Sequence, residues 1–447
     1  MQPAPKTAHI AAPAWRLDRK REFQAPKKLD RDTKCDTVII GGGIVGVAVA
    51  YHLAKSQNVV LLESSEIGSG SSGWNAGILS LSTTLDLAIL GQVVGEEEAR
   101  QLAFGLRSAL EDIRSELDLE PEFWQTGRSI FAASKASHRH FLEEEKLVLA
   151  EFGLPSALLD AEVFNTHWSN FAGVLAMENE QAVHPYKLLL SLALQASSRG
   201  LQLFEYSPAI SWVRDATGIE VRVNGCVVKA QNAVIATGID GLSTHFDKSI
   251  VRRAVPISGQ ILVTKPSRHV RNLIENTGAV ALWDSLKLYH YVRYLSDGRM
   301  LIGGGDMPGK YRNTVFDASS KVLREIRRWV EIHHNFPIEE TESAWRASLV
   351  YPMDGLPLLS FSEIGGARVV QAITDGLPFG LLLGRLIAAH LNNDAKHDDI
   401  EMMTTLTRER RIHCTEQLVA RLPENSKVRN LAVHIGILGL KMHDRFF

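Results

Sequence analysis

The sequence has little of what marks several large protein classes. Its 447 residues include only three cysteines, Cys35, Cys226 and Cys414, which lie far apart and show no metal-ligand spacing. Neither a disulfide framework nor a metal site is expected, and a reducing, cytoplasmic environment is the default prediction. The formal net charge is only −2, with 49 basic and 51 acidic side chains. No strong electrostatic field therefore favours nucleic acid or an anionic membrane as a partner.

Long apolar runs are missing as well. No segment approaches the roughly 20 apolar residues that a membrane-spanning helix needs, and residues 1–35 lack the apolar core of a signal peptide. Their prolines and mixed charges predict an N-terminal arm that is either extended on a domain or disordered. A C-terminal extension is predicted over residues 396–447. Its apolar stretch at residues 431–440 is typical of a packed helix, with membrane association as the alternative.

A glycine-rich segment after the first predicted strand carries the main functional signal. Gly41, Gly43 and Gly46 fit the pattern G-x-G-x-x-G between a predicted strand at residues 36–40 and a predicted helix at residues 44–54. Gly41 permits a tight turn, Gly43 lets the backbone approach a pyrophosphate, and Gly46 lets helix and strand pack closely. The N-terminus of the helix then offers unpaired N–H groups and a positive dipole end to phosphates.

An acidic residue and a second glycine-rich loop sharpen this prediction towards FAD. Glu63 ends the next predicted strand, where a carboxylate can accept hydrogen bonds from ribose hydroxyls and repels a 2′-phosphate. The Gly/Ser loop at residues 68–77 stands where an NAD domain would continue into a helix. It can supply further donors to a diphosphate and run beside a flavin ring, although its composition also suits a flexible linker. Trp74 and Asn75 within it favour the flavin interpretation.

The sequence resembles the D-amino-acid oxidase-like (DAO) family of FAD-dependent oxidoreductases, in the group of sarcosine, glycine and γ-glutamylputrescine oxidases. The resemblance extends from about residue 36 to about residue 393 and rests on several separated motifs, no one of which is specific by itself. These motifs are residues 38–46 with Glu63, residues 71–77, Ala236-Thr237-Gly238, Tyr291-Val292-Arg293 with Asp297-Gly298-Arg299, Asp354-Gly355-Leu356-Pro357 and Thr374-Asp375-Gly376-Leu377-Pro378.

The resemblance implies an α/β fold with two domains. One is a Rossmann-like FAD-binding domain that is discontinuous in the sequence, expected over residues 36–83, 184–238 and 355–395. The other is an α+β substrate domain built on a mostly antiparallel sheet, expected over residues 84–183 and 239–354. The flavin ring is expected to lie between them.

The resemblance also assigns the residues that contact a non-covalently bound FAD. For the ADP half they are Gly41, Gly43, Ile44, Val45, Gly46, Glu63, Ala209, Thr237 and Gly238. For the pyrophosphate and flavin they are Ser71, Ser72, Asn75, Ala76 and Gly77. For the pyrimidine edge of the flavin they are Thr374, Asp375, Gly376, Leu377 and Pro378. The helix that follows would direct its positive end at the ring. No metal is implied.

The chemistry implied by the family is oxidation of a C–N bond in a small amine or amino acid. A hydride moves from the carbon next to the amine to flavin N5, O2 is the expected acceptor, and the imine product hydrolyses. The pocket candidates are Tyr289, Tyr291 and Arg293, which alternate along a strand predicted over residues 286–294, together with Arg346. A structural ion pair is the more usual role for such an arginine.

Two departures from the family pattern bear on the substrate. Members similar to sarcosine oxidase carry an arginine after the second loop and a lysine at the start of the last helix. This sequence has Gly77-Ile78 and Gly380 at those positions. An α-amino-acid substrate is therefore less favoured, and a neutral or cationic amine more so. Asp306, after three glycines, is predicted to be a turn residue rather than a catalyst.

Two other functions stay open at this point. One is an FAD dehydrogenase that passes electrons to a quinone or a carrier protein, with the C-terminal extension contacting a membrane or partner. The other is a flavin-binding protein whose FAD is structural. A flavin hydroxylase is disfavoured, because the sequence has no Gly-Asp-Ala-type motif and no second nucleotide fingerprint.

Overall fold

The computed structural model describes residue 15 and a nearly continuous chain from residue 27 to residue 407. The described ranges are 27–82, 86–117, 119–120, 122–286, 289–308, 314–315, 321–336, 338 and 340–407. Most of the predicted N-terminal arm, and the apolar stretch at residues 431–440, lie outside them. Among the helices described, none combines the length and apolarity required to cross a bilayer.

The regular elements are numbered in chain order. The strands are β1 Thr33–Ile40, β2 Val59–Leu62, β3 Trp124–Ala133, β4 Ser156–Leu159, β5 Gly173–Val183, β6 Gln202–Phe204, β7 Ala209–Asp215, β8 Gly218–Val223, β9 Cys226–Ile235, β10 Ala254–Thr264, β11 Ala279–Asp284, β12 Tyr291–Tyr294, β13 Met300–Pro308, β14 Thr314–Val315, β15 Thr341–Pro352, β16 Leu358–Ile364 and β17 Ala367–Ile373. The α-helices are α1 Ile44–Leu53, α2 Leu87–Val94, α3 Glu96–Glu116, α4 Arg139–Glu151, α5 Ala161–Phe164, α6 Pro185–Ser198, α7 Lys248–Arg253, α8 Arg268–Thr277, α9 Lys321–His334, α10 Leu377–Asn392 and α11 His397–Thr407. Single 3₁₀ turns occupy Ser71–Gly73 and Ala136–His138.

An eight-stranded sheet is assembled from three distant parts of the chain. Its order is β16-β17-β9-β1-β2-β6, with β8 attached to β9 and β7 to β8. β1 pairs in parallel with β2 and β9, and β9 pairs in parallel with β17. The last four residues of β1 are all buried, as expected for a parallel strand covered on both faces. The sheet confirms the discontinuous Rossmann-like fold, whereas the residue-level domain boundaries remain predictions.

Helix α1 packs tightly against helix α10 on one face of this sheet. A Cβ atom at Gly380 would lie 2.5 Å from the side chain of Ile44, and one at Gly384 would lie 2.4 Å from the Cβ of Ala48. These two glycines therefore allow the helices a close approach that larger residues would prevent. Because α1 follows β1 and α10 follows β17, both helices begin at the carboxyl edge of the sheet, where α/β proteins bind ligands.

The second sheet of the protein has nine strands. Its order is β14-β15-β10-β13-β12-β11-β3-β5-β4, and β11 with β3 is its parallel pair while the other neighbours are antiparallel. This confirms the mostly antiparallel sheet expected for the second domain. One face packs on apolar residues of α8 and α9, among them Leu273 and Ile326. The other face carries Ile261, Trp345 and Ala347 into a separate apolar cluster.

Two local sequence predictions were wrong. The strand predicted over residues 286–294 begins only at Tyr291, because Asp284 accepts hydrogen bonds from the backbone N–H groups of Leu286 and His290 and closes a loop between them. Tyr289 therefore lies just before β12. Asp306, predicted to be a turn residue, lies within β13, where the pairing with β10 shifts register at an irregularity beside it.

Candidate functional site

A cavity of about 330 Å³ lies at the carboxyl edge of the eight-stranded sheet. Its walls come from the start of α1, the end of β2, the second glycine-rich loop and the segments after β9 and β17. The predicted cofactor residues that line it are Gly41, Gly43, Ile44, Val45, Glu63, Ser71, Ser72, Ala209, Thr237, Gly238 and Thr374. The fold thus brings residues from widely separated segments to a single cavity.

The three glycines of the fingerprint are required for different reasons. Gly41 has a φ of +113°, and a Cβ there would lie 2.4 Å from the carbonyl oxygen of Ala236. A Cβ at Gly46 would lie 2.0 Å from the carbonyl oxygen of Gly41, below the cavity. At Gly43 the nearest atom is Ser72 Oγ at 3.1 Å. Contacts within the folded chain therefore exclude a side chain at positions 41 and 46. At Gly43 a side chain would be excluded mainly by a ligand bound in the cavity.

Glu63 connects the first glycine turn to the chain that leads into the second loop. Its Oε2 accepts a hydrogen bond from the N–H of Gly42 at 2.7 Å, and its Oε1 accepts from the N–H of Ser65 at 2.8 Å and from Ser64 Oγ at 3.1 Å. A carboxylate oxygen can accept more than one hydrogen bond. Glu63 can therefore fix these loops and still accept from a ribose hydroxyl, because it also lines the cavity.

Polar groups at the cavity fit the ADP half of a dinucleotide. The hydroxyl of Thr237 is buried at the cavity wall and has no hydrogen-bond partner within the described chain. Ser72 Oγ accepts from the N–H of Ile44 at 2.9 Å, which joins the second loop to the first turn of α1. Remaining N–H groups of that first turn provide the usual environment for a phosphate. These residues are therefore suited to a diphosphate with an attached ribose.

The second loop is shaped by the side chain of Asn75. Its Nδ2 donates to the carbonyl oxygens of Ser71 and Ser72 at 3.1 and 2.8 Å, and its Oδ1 accepts from the N–H of Gly77 at 2.7 Å. Gly77 has a φ of +72°, and a Cβ there would lie 2.0 Å from the carbonyl oxygen of Val183. Asn75, Ala76 and Gly77 thus lie beyond the cavity, on the side of the nine-stranded sheet.

The third predicted segment leads into helix α10. Thr374 lines the cavity, and Gly376 adopts a φ of +84° as the residue that precedes the helix. Leu377 and Pro378 form the first turn, where proline costs no hydrogen bond. The positive end of α10 therefore lies near the cavity, and its predicted contact with the flavin stays a prediction.

Tyrosine and aspartate side chains of the nine-stranded sheet interact electrostatically with Asp375 of this segment. We call Tyr289, Tyr291, Tyr351, Asp306 and Asp375 the tyrosine–aspartate wall. The rings of Tyr289 and Tyr291 lie 5.9 Å apart between centroids. A Cβ at Gly303 would overlap the ring of Tyr291, so this glycine leaves room for the ring to lie across the neighbouring strand.

The electrostatics of the wall keep its hydroxyl groups neutral. Burial raises the pKa of Tyr289, Tyr291 and Tyr351 well above that of a free tyrosine, and repulsion by Asp306 and Asp375 raises the pKa of each further. For Tyr351, Asp354 and Asp86 act in the same direction. The charges that act most strongly on these hydroxyls are therefore carboxylates.

The two arginine candidates occupy different positions. Arg293 is fully buried and donates to the carbonyl oxygens of Ala76, at 2.9 Å, and Val183. Arg346 pairs with Gln260 across β15 and β10 and, by strand alternation, lies on the opposite face from Trp345 and Tyr351. The structure thus brings Tyr289 and Tyr291 to the wall, places Arg293 behind the second loop and places Arg346 on the far face of the sheet.

Some residues of the site were not singled out from the sequence. Tyr351 lies at the end of β15, and its place in the wall follows only from the register with β10. Pro208 and His245 line the cavity beyond the ends of strands. Their positions near strand ends are the available sequence signal, since loops at the carboxyl edge contribute to such sites. Within the described residues, no cluster of three or more His, Cys, Asp or Glu side chains could hold a metal ion.

Comparison with known proteins gives a family match over most of the chain. Residues 36–390 match the family described as "DAO: FAD dependent oxidoreductase". Among curated proteins, a probable oxidoreductase OrdL of Haemophilus influenzae is 28% identical over 64% of this chain and 68% of its own length. Gamma-glutamylputrescine oxidoreductase of Escherichia coli is 25% identical over 83% of this chain and 87% of its own length.

Solved structures show the same fold. The crystal structure of glycine oxidase from Geobacillus kaustophilus superposes with a TM-score of 0.68 at 22% identity, covering 82% of this chain and 96% of that one. L-Proline dehydrogenase from P. horikoshii gives a TM-score of 0.65 at 17% identity, covering 85% of this chain and 98% of that one. The predicted family resemblance is confirmed, and with it the FAD cofactor and the assignment of the chain as an FAD-dependent oxidoreductase.

Proposed function

Because this chain belongs to the DAO family of FAD-dependent oxidoreductases, we propose that it oxidises the C–N bond of a small amine that lacks an α-carboxylate, with O2 as the electron acceptor. The enzyme class follows from the family. The kind of amine and the electron acceptor are what we propose beyond the family. The choice of an amine without an α-carboxylate rests on the tyrosine–aspartate wall.

The wall has the composition of a site for a cation. Aromatic faces attract an ammonium group, and Asp306 and Asp375 add negative charge beside the three tyrosines. The hydroxyls of these tyrosines remain protonated, so they can donate to or accept from the substrate nitrogen without contributing charge. A carboxylate on the substrate would meet electrostatic repulsion at the same place.

Arg293 is engaged away from the wall. Its fully buried guanidinium donates to the backbone carbonyls of Ala76 and Val183 and to the side-chain oxygen of Gln125. Gly77-Ile78 and Gly380 stand where members similar to sarcosine oxidase carry an arginine and a lysine. The expected carboxylate anchors are thus missing at these positions, and a Cβ atom at Gly77 or Gly380 would collide with Val183 or Ile44.

Bound FAD would supply the acceptor for a hydride from the carbon next to the nitrogen. The protein's own contribution is to bind and orient the amine against that acceptor. The amine must lose its ammonium proton before it can react. Solvent can accept this proton, so the protein does not need a strong base for this step. We therefore expect turnover to increase with pH as the substrate ammonium group deprotonates.

A matched pair of substrates tests the proposal. 1,4-Diaminobutane and ornithine differ by the α-carboxylate, so the anaerobic rate of flavin bleaching by each compares a diamine with its carboxylated form. We expect bleaching by the diamine to be faster by about tenfold or more, which corresponds to a difference of roughly 1.4 kcal/mol in activation free energy. Equal rates, or faster bleaching by ornithine, would contradict the proposed substrate class.

The acceptor is tested separately. Release of one peroxide per amine oxidised under air supports O2, whereas reduction of a quinone dye without peroxide would identify a dehydrogenase. If no amine or amino acid of a broad panel bleaches the flavin, the cofactor is structural and the enzymatic proposal fails.

A further inference from the structure

Three consecutive backbone carbonyls in the second loop each accept a hydrogen bond from a buried side chain. The donors are Trp345 Nε1 to Trp74 O, Trp15 Nε1 to Asn75 O and Arg293 Nη1 to Ala76 O, each at 2.9 Å. We call Trp15, Trp345 and Arg293 the carbonyl brace. Trp345 and Arg293 come from strands β15 and β12 of the nine-stranded sheet, which β10 and β13 separate, whereas Trp15 comes from the N-terminal arm.

The brace determines where the amide groups of the loop point. In a planar trans peptide the N–H is directed away from the carbonyl oxygen. Hydrogen bonds to the carbonyls of Trp74 and Asn75 therefore turn the N–H groups of Asn75 and Ala76 away from the brace. The next N–H, that of Gly77, is bound by Asn75 Oδ1 at 2.7 Å. Two adjacent amide donors are thus presented on the side of the loop opposite the brace.

Trp15 is an unusual member of this group because its neighbours in sequence belong to the arm. Its side chain is only 2% exposed. The indole ring lies 4.9 Å from the ring of His184 between centroids and 5.2 Å from the guanidinium carbon of Arg293. It also belongs to the apolar cluster that contains Trp345 and Tyr186. A tryptophan buried to this degree fixes the arm to the core at this point.

The surroundings of Trp15 favour a fixed geometry. Burial, followed by the charges of Arg293 and Lys187, lowers the pKa of His184 to about 3, so its ring is neutral near pH 7. His184 Nδ1 accepts from the N–H of Lys187 at 3.2 Å and caps helix α6. The cation of Arg293 faces the indole ring, a favourable contact in a site removed from water.

We propose that Trp15 is a cofactor-positioning residue. By binding the carbonyl of Asn75 from the arm, it aligns the amides of Asn75 and Ala76 towards the flavin. This inference rests on FAD as the cofactor and is independent of the substrate proposed above.

The test compares two tryptophan-to-phenylalanine variants of the full chain. Trp15→Phe keeps an aromatic ring in the cluster but removes the N–H that binds Asn75. Trp168→Phe is the matched control, because Trp168 is 1% exposed and its Nε1 donates to the hydroxyl of Tyr294 at 2.9 Å, in the cluster on the other face of the sheet. For each variant, FAD is titrated into the apoprotein, and the visible circular dichroism of the bound flavin is recorded.

We expect Trp15→Phe to raise the Kd for FAD by about fivefold, the effect of losing one neutral hydrogen bond, and to change the visible dichroism of the flavin. Trp168→Phe should leave both properties as in the parent protein. The proposal is overturned if Trp15→Phe binds FAD with parental affinity and dichroism, or if the control shows the same changes.

A second measurement keeps the proposal testable should Trp15→Phe fail to fold. Hydrogen exchange of the parent protein, followed by mass spectrometry across residues 71–79, compares the apoprotein with the FAD-bound form. Binding should slow exchange at Asn75 and Ala76, because their amides would contact the flavin. Unchanged exchange at both amides would overturn the assignment.

Discussion

The adenosine side of the site and the tyrosine–aspartate wall are built in contrasting ways. At the side predicted to bind the adenosine, the cavity is lined largely by glycine-rich turns and a helix N-terminus next to strands β1 and β2, together with the segment after β9. At the wall, contacts come from side chains on strands β12, β13 and β15 and on the segment before α10. The first region has a geometry that a local sequence pattern encodes. The second depends on how distant strands align.

Because the two regions are built differently, we expect substitutions in one to affect FAD binding and substitutions in the other to affect substrate binding. Changes at the glycine turns should alter binding of FAD and leave the selection among substrates unchanged. Changes at the wall should alter substrate binding and leave FAD in place. A variant that shifted both together would show that the two regions act as one unit.

The largest effect is expected for Gly43→Val. A Cβ atom at this position would meet only Ser72 Oγ within 4 Å in the folded chain, and the valine side chain would occupy space that the pyrophosphate needs. We expect a folded, colourless protein whose Kd for FAD rises by roughly 100-fold or more, or about 2.8 kcal/mol. Gly91→Val, in helix α2 with no neighbouring atom closer than 3.9 Å, is the control. A yellow Gly43→Val protein would contradict the assigned phosphate site.

Asp306→Asn should have the next largest effect, and only at the wall. Removing this carboxylate weakens attraction of an ammonium group, so KM for a good amine substrate should rise by about tenfold, or roughly 1.4 kcal/mol. The Kd for FAD should not change. Asp215→Asn, at the exposed end of β7, serves as the control. Loss of FAD from Asp306→Asn would show that the wall supports the cofactor as well.

Tyr291→Phe tests the ionisation state of the wall. Since burial and two carboxylates raise the pKa of Tyr291 far above the ordinary value near 10, the hydroxyl stays protonated across the working range. The increase of kcat/KM with pH should therefore keep the same midpoint in the variant, with kcat/KM lowered by about fivefold through loss of a hydrogen bond. A shifted midpoint would identify Tyr291 as the group that titrates.

The smallest effect is expected for Thr237→Val at the adenosine side. Its hydroxyl is buried and lacks a partner within the described chain, so its removal should not lower the melting temperature of the apoprotein. If the hydroxyl binds FAD, the Kd should rise by about threefold to fivefold. Unchanged affinity together with a higher melting temperature would indicate that the hydroxyl is an unsatisfied core group.

The same contrast determines what the sequence could predict. Gly41, Gly46 and Glu63 were assigned to a dinucleotide site because steric and hydrogen-bonding demands at a β-α-β turn are local. The sequence around Tyr351 does not indicate a role in the site, because the residues next to it in the wall come from other strands. Tyr289 was expected on a continuous strand, and the loop closed by Asp284 could not be recognised from alternation alone.

The N-terminal arm illustrates a different limit. Its prolines and mixed charges predicted an extended or disordered segment. Such a composition does not show that one residue of the segment is buried against the folded core. Trp15 is such a residue, with its indole N–H on the carbonyl of Asn75 and its ring beside His184. The presence of a tryptophan in the arm was the available signal, because tryptophan seldom stays exposed without a partner.

The position of β17 and α10 in the sheet has a consequence for biosynthesis. Strand β17 pairs with β9 next to β1, and the segment after it, predicted to contact the flavin, places Thr374 at the cavity. The residues predicted to bind the ADP half, up to Gly238, are synthesised much earlier. If these assignments hold, a nascent chain can form part of the nucleotide cleft but cannot enclose the flavin until nearly 380 residues have left the ribosome. We therefore expect FAD to be loaded late in the maturation of this chain, and chains truncated before α10 to remain without cofactor.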